Sequence, residues 1–132
     1  MQLHEYQAKE ILNSSKVPIP DGKVAKSGIE AKEIASSFGG NCVVKAQVHA
    51  GGRGKGGGIK LAKNYDEVYK FSKNIIGMSL VTPQTPPEGK IVNQVLIAED
   101  VYYPGESETS EFYVSVLLDR SSCKNIIMYS TE

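Results

Sequence analysis

The sequence has no tryptophan, only two cysteines and two histidines, and no net charge, its 15 basic residues matching its 15 acidic ones. Each absence removes a class of protein. Cys42 and Cys123 stand far apart with no C-x-x-C, so neither a disulfide scaffold nor a zinc site is indicated, and both thiols are expected to be buried or unreactive in a reducing compartment. A nucleic-acid binder would show a basic excess. No hydrophobic run approaches the length of a membrane span. The opening MQLHEYQAKEIL lacks the basic and apolar regions of a signal peptide and the Arg-rich, acid-free make-up of a transit peptide. A cytoplasmic, bacterial protein, folded from its first residues, is the expectation. With 132 residues, 40% of them hydrophobic, the chain can form one modest domain or parts of two.

What the sequence does have is glycine, concentrated in one place: six of the nine residues from Ala50 to Gly58. Glycine loses the most backbone entropy on folding, so such a run is expected where the backbone approaches something closely or takes up positive φ. Phosphate is the usual partner of such a loop. Just before it, period-two alternation assigns Val44, Ala46 and Val48 to a core face and Lys45, Gln47 and His49 to the other. That second face, with Arg53 and Lys55 in the loop, reads as the wall of an anion site. The bland alternative is a solvated sheet face ending in a hairpin tip, although a turn needs only one or two glycines.

Spacing sorts the phosphate-loop families. A P-loop needs G-x-x-x-x-G-K followed by Ser or Thr, and this chain has His49 and Gly56 where the first glycine and the hydroxyl should be. Gly52 to Gly57 fits G-x-G-x-x-G, but a dinucleotide site requires a helix to start there, and Gly56-Gly57-Gly58 is a poor first turn. Ile59-Lys60-Leu61 suits a returning strand. A glycine flap between two strands, closing over nucleotide phosphates, is the remaining reading.

Along the chain, Leu3, Tyr6, Ile11 and Leu12 suggest a helix over residues 3–14, ended by Val17-Pro18-Ile19-Pro20. A short strand near Lys23 to Ala25 follows, then a helix capped by Ser27 and Glu30 with Ala31, Ile34, Ala35 and Phe38 as its apolar stripe, stopped by Gly39-Gly40. Beyond the flap, Asn64 and Glu67 start a second capped helix carrying Val68, Phe71 and Ile75. Leu80 to Thr82 and Val92 to Glu99 read as the strands of a hairpin, and Phe112 to Asp119 with Asn125 to Tyr129 as another. The fold class is α+β: from residue 21 to about 100, a lobe with a largely antiparallel sheet and two helices. A lone hairpin is marginal in water, so the remainder of a second lobe is expected beyond residue 132.

LHEYQAKEIL, VVKAQVHAGGRGKGGG, VNQVLIAE and LLDRSS, in this order and spacing, resemble the N-terminal portion of the β subunits of succinyl-CoA synthetase (succinate-CoA ligase), a family of ATP-grasp enzymes. The resemblance covers the whole chain. It implies an N-terminal helix and linker at 1–20 packing with the second lobe, the ATP-grasp small nucleotide-binding lobe at 21–102, and the hinge with the first hairpin of an incomplete second lobe at 103–132. It also implies ATP or ADP as the bound substrate. Lys45 would hold phosphate, Gly52, Arg53 and Gly54 would be flap contacts, Glu99 would contact the base with adenine preferred, Tyr102 would contribute its backbone, and Glu111 would hold the ribose hydroxyls. The segment VYYPGESETSE is longer than the family's hinge, and within it Glu108 competes with Glu111 for the ribose.

No catalytic residue is expected in this chain, and the family's Mg2+ ligands, CoA-ligase domain and much of its succinate site fall after Glu132. The phosphate-carrying histidine belongs to an α subunit, the implied partner in a heterodimer or heterotetramer. His4 and His49 are not that histidine, and His49 is expected to orient the loop by hydrogen bonding. Nucleic acid and membrane are not expected partners. Two other readings stand beside this one: another acid-CoA ligase, such as a malate-CoA or citrate-lyase-like enzyme, and a non-catalytic ATP-binding module.

Overall fold

Ser27 and Asn64 start the two helices on which the first part of the structure is built. Ser27 Oγ accepts the Glu30 N–H at 3.1 Å and Asn64 Oδ1 accepts the Glu67 N–H at 2.9 Å. Each glutamate reaches back one residue beyond the cap, to the N–H of Lys26 or Lys63. Each cap removes an orphan N–H, a contribution of about 1 kcal/mol. The computed structural model describes residues 3–102 and 110–131. They fall into two units, Met1–Val101 and Tyr102–Glu132.

In the first unit, helix α1 (Glu5–Ser14) is followed by β1 (Gly22–Ala25), α2 (Gly28–Ala35), β2 (Cys42–Ala46), β3 (Ile59–Ala62), α3 (Tyr65–Ile75), β4 (Ser79–Leu80), β5 (Lys90–Ile91) and β6 (Val95–Glu99). A 3-10 turn extends α2 to Phe38, and Gly39 and Gly40, both at positive φ, stop it. The sheet has the order β1-β6-β2-β3 with every neighbour antiparallel. Ala25, Cys42, Val44, Ala46, Val95 and Ile97 share one face and bury against Ala31 and Ala35 of α2 and Val68 and Ile75 of α3. That sandwich is the core, and the other sheet face lies outside it.

The second expected strand pair is arranged differently. β4 pairs with β5 as a separate two-stranded piece, while β6 runs between β1 and β2. Strand pairing stops at Leu80 because the next polar groups turn inward on themselves: the Thr82 N–H donates to Thr85 Oγ1 and the Gln84 N–H to Thr82 Oγ1. Pro83, between them, has no N–H to offer a ladder.

α1 groups with residues 21–101 and lies toward the second sheet face, where Lys9 Nζ donates to the Pro20 carbonyl at 2.7 Å. It buries none of its residues completely, and Ile11 and Leu12 stay exposed. Its polar first turn makes the long-range contacts.

The second unit, described by itself, holds the antiparallel hairpin β7 (Tyr113–Asp119) and β8 (Lys124–Ser130). Asp119 closes its turn by accepting from the N–H and hydroxyl of Ser121 and the hydroxyl of Ser122. These bonds hold the Asp119 carboxyl down at about 2. Val114, Val116, Leu118, Ile127 and Tyr129 lie on one side of the hairpin, all exposed. Cys42 is buried, with its thiol pushed up to about 11 by that burial and then by Asp100. Cys123, expected to be buried or unreactive, is exposed, because the turn places it at φ 55 on the hairpin tip.

Candidate functional site

Register decides which face Lys45 occupies. Lys45 is opposite Leu96 and Ile59, whereas Val44 is opposite Ile97, so the Lys45 side chain stands on the face away from α2 and α3. Alternation ends at Ala46. Gln47, expected on the site wall, is buried, because its amide turns back on the strand toward the Lys45 and Ala46 carbonyls while Oε1 lies 3.4 Å from the Tyr6 N–H. It serves to dock α1.

Between β2 and β3 the glycine loop makes its own turns. The Ala46 N–H donates to the Gly58 carbonyl, the Gly58 N–H to the Arg53 carbonyl, and the Gly57 N–H to the Gly54 carbonyl. Part of the glycine content is structural. A Cβ at Gly56 would come within 2.5 Å of the Val81 carbonyl oxygen, and Gly52 sits at φ 73. Gly54 is different, since a Cβ there would meet only Ile59 Cδ1, at 4.0 Å. The fold does not require glycine at that position, and close approach of a ligand is a reason for it.

Arg53 folds back from the loop. Its Nη1 donates to the Ala46 carbonyl at 2.7 Å and its Nη2 to Glu5 Oε2 at 2.6 Å, while Lys45 Nζ donates to Glu5 Oε1 at 3.2 Å. One carboxylate from α1 thus bridges the strand cation and the loop cation. Burial pushes the Glu5 carboxyl up, but the bonds and charges of Arg53 and Lys45 outweigh it and hold it below the ordinary carboxylate value. Beside this bridge, Glu5, His49, Gly52, Arg53, Gly54 and Gln84 line a cavity of about 570 Å³.

His49 was expected to orient the loop by hydrogen bonding, yet its ring stacks on His4 with centroids 3.8 Å apart. Its carbonyl accepts from Lys90 Nζ at 2.8 Å. Burial, then the neighbouring His49 and Arg53, hold His4 below the ordinary imidazole value. The sequence pattern missed Glu5 as a site neighbour. Only its place in the first turn of a helix that returns to the sheet's open face marks it.

Of the remaining expected contacts, Glu99 lies in the first unit. Glu99 ends β6 opposite Cys42, so register turns its side chain toward the helix-covered face, although at the strand end its charge still acts on Lys9. Lys9 itself is held below the ordinary lysine value by burial and then by Lys45, with Glu5, Asp21 and Glu99 opposing. Tyr102 and Glu111 belong to the second unit and are exposed. Glu108 lies outside the described residues.

The ATP-grasp domain model matches residues 2–132. The chain belongs to the ATP-grasp family. Among its curated relatives, "Succinate--CoA ligase [ADP-forming] subunit beta" of Flavobacterium johnsoniae is 63% identical over 137 residues, covering all of this chain and 34% of the relative. The protein of the same name from Nitratiruptor sp. is 52% identical over 133 residues, covering all of this chain and 33% of the relative. This ATP-grasp chain therefore spans about a third of the length of the curated relatives it matches, and it aligns with their N-terminal part. A solved dinucleotide-forming acetyl-coenzyme A synthetase 1 of Ca. Korarchaeum cryptofilum superposes with a TM-score of 0.70 at 21% identity, over 98% of this chain and 53% of that one. At that identity the likeness concerns the ATP-grasp fold alone. The glycine flap between antiparallel strands is a feature of this α+β fold that the sequence already indicated.

Proposed function

We propose that this chain is the nucleotide-gripping part of the β subunit of an ADP-forming succinate-CoA ligase, which converts succinate, CoA and nucleoside triphosphate to succinyl-CoA, nucleoside diphosphate and phosphate. One observation carries the reading: Lys45 and Arg53 converge on the sheet face not used by the core, beside a glycine loop with open space at Gly54. Backbone N–H groups and two cations are the chemistry that polyphosphate requires. Lys45 and the flap residues Gly52, Arg53 and Gly54 grip the phosphates. Glu99, at the strand end where its charge reaches Lys9, contacts the base, Tyr102 adds its backbone, and Glu111 holds the ribose.

In the longer protein, residues 21–102 form the small lobe, residues 103–132 open the second lobe, and residues 1–20 pack with that lobe as well. The exposed Ile11 and Leu12 of α1 and the apolar hairpin side supply surfaces for this packing. The partner is an α subunit bearing the phosphorylated histidine, in a cytoplasmic heteromer. Among the described residues, no group of three or more His, Cys, Asp or Glu could hold a metal ion. The Mg2+ ligands belong, in this reading, to sequence after Glu132 of the longer protein.

Assay of the full-length protein with its α subunit tests the reading. Turnover that requires succinate, CoA and ATP together is the expected result. Turnover with malate or citrate in place of succinate, or nucleotide binding with no turnover, would contradict it.

A further inference from the structure

The glycine run gives the loop from Ala50 to Gly58 little intrinsic order, so its side-chain tethers matter more than usual. They are few. Gln84 Oε1 accepts the Gly51 N–H at 2.7 Å, and Arg53 bonds the Ala46 carbonyl and Glu5. Lys45 and Arg53 carry like charges and would push apart if left alone. Glu5 lies between them and gives one oxygen to each, at 3.2 and 2.6 Å. Both ion pairs are largely shielded, with side-chain exposures of 19–27%, so screening by solvent is weaker than at an open surface. The three charges sum to +1, which still favours an anion.

Resting on the nucleotide reading above, we propose that Glu5 is a positioning residue of the phosphate site, holding Lys45 and Arg53 in register for the polyphosphate without itself touching it. The arrangement follows the logic of a lysine-glutamate pair in a kinase, where the carboxylate fixes the lysine that meets the phosphates. It also makes α1 part of the site, since Glu5 begins that helix and His4 stacks on His49 at the loop's root. The two-cation bridge uses the two oxygens of one carboxylate, Oε1 for Lys45 and Oε2 for Arg53.

The test uses the full-length protein with Glu5→Gln, Glu5→Asp and Lys45→Met, titrated with ADP by calorimetry and with adenosine by ligand-observed NMR. Glu5→Gln is expected to weaken ADP binding about tenfold and leave adenosine unchanged, and Glu5→Asp to recover part of the loss. A merely structural role would move ADP and adenosine alike, and that result overturns the proposal. Unchanged ADP affinity overturns it too. Tighter ADP binding in Glu5→Gln would make Glu5 a competitor of phosphate, the opposite role. Failure of the underlying reading shows separately: Lys45→Met would then bind ADP as the natural protein does, and both conclusions fall.

Discussion

Arg53 donates from Nη2 to Glu5 Oε2 at 2.6 Å, joining a glycine loop to a helix 48 residues earlier in the chain. The same guanidinium donates from Nη1 to the Ala46 carbonyl. A lysine cannot span both acceptors with one ammonium in this fork geometry. Arg53→Lys should therefore loosen the loop by about 1.5 to 3 kcal/mol, the worth of one hydrogen bond to a charged group. Faster amide exchange confined to residues 50–58 is the expected signature, and unchanged protection there would contradict it.

The two kinds of glycine in the loop should separate by substitution. Gly56→Ala drives a Cβ toward the Val81 carbonyl and should lower the melting temperature, at a cost of about 1 to 3 kcal/mol for overpacking. Gly54→Ala meets open space and should leave the melting temperature unchanged while weakening ADP binding. Thermal unfolding and calorimetric titration of both variants decide the matter. Equal destabilisation by the two would remove the ligand-approach argument at Gly54.

Acid should release α1 in two stages. His4 is held below its ordinary 6.5, so the unfolded chain takes up that proton first; the stability contributed is complete above 6.5 and lost as pH falls through the folded value. Glu5 is held below its ordinary 4.5, and the same sign applies one step lower: its contribution is complete above 4.5 and lost as pH falls through the folded value. Urea midpoints measured from pH 8 to pH 3 should fall in both ranges. His4→Phe, which keeps a ring and cannot titrate, should abolish the upper step, and Glu5→Gln the lower.

Local patterns carried much of this structure on the surface of the sequence. Ser27 and Asn64 announce their helices by chemistry within three residues, and the strand from Val43 into the glycine run announces β2 by alternation. The unexpected features of the first unit are long-range. Gln47 is polar and in phase with Lys45, and only the arrival of Tyr6 explains why it is buried. β6 reads as half of a local hairpin, yet it pairs with β1 and β2, strands far earlier in the chain. Glu5 looks like any solvated first-turn acid until Lys45 and Arg53 are seen against it. Of the candidate site, the face of Lys45 and the glycine loop between strands were legible, whereas the contact of Glu5 with Lys45 and Arg53 was not.

Base selection is expected to favour adenine. Carboxylate oxygens accept the amino group of adenine and oppose the carbonyl oxygen that guanine presents at that edge. Competition between ATP and GTP in the assembled enzyme should show an ATP preference that Glu99→Lys weakens or reverses. A GTP preference with Glu99 intact would remove Glu99 from the base contact.

The central claim is that Lys45 and the loop beside it grip nucleotide phosphates, and titrating ADP into the full-length protein with and without Lys45→Met tests it most directly. A charge-assisted hydrogen bond contributes about 1.5 to 3 kcal/mol, which corresponds to a loss of roughly tenfold or more in affinity, with the fold retained because the Lys45 side chain lies outside the core. Unchanged ADP affinity in a folded Lys45→Met protein would contradict the account.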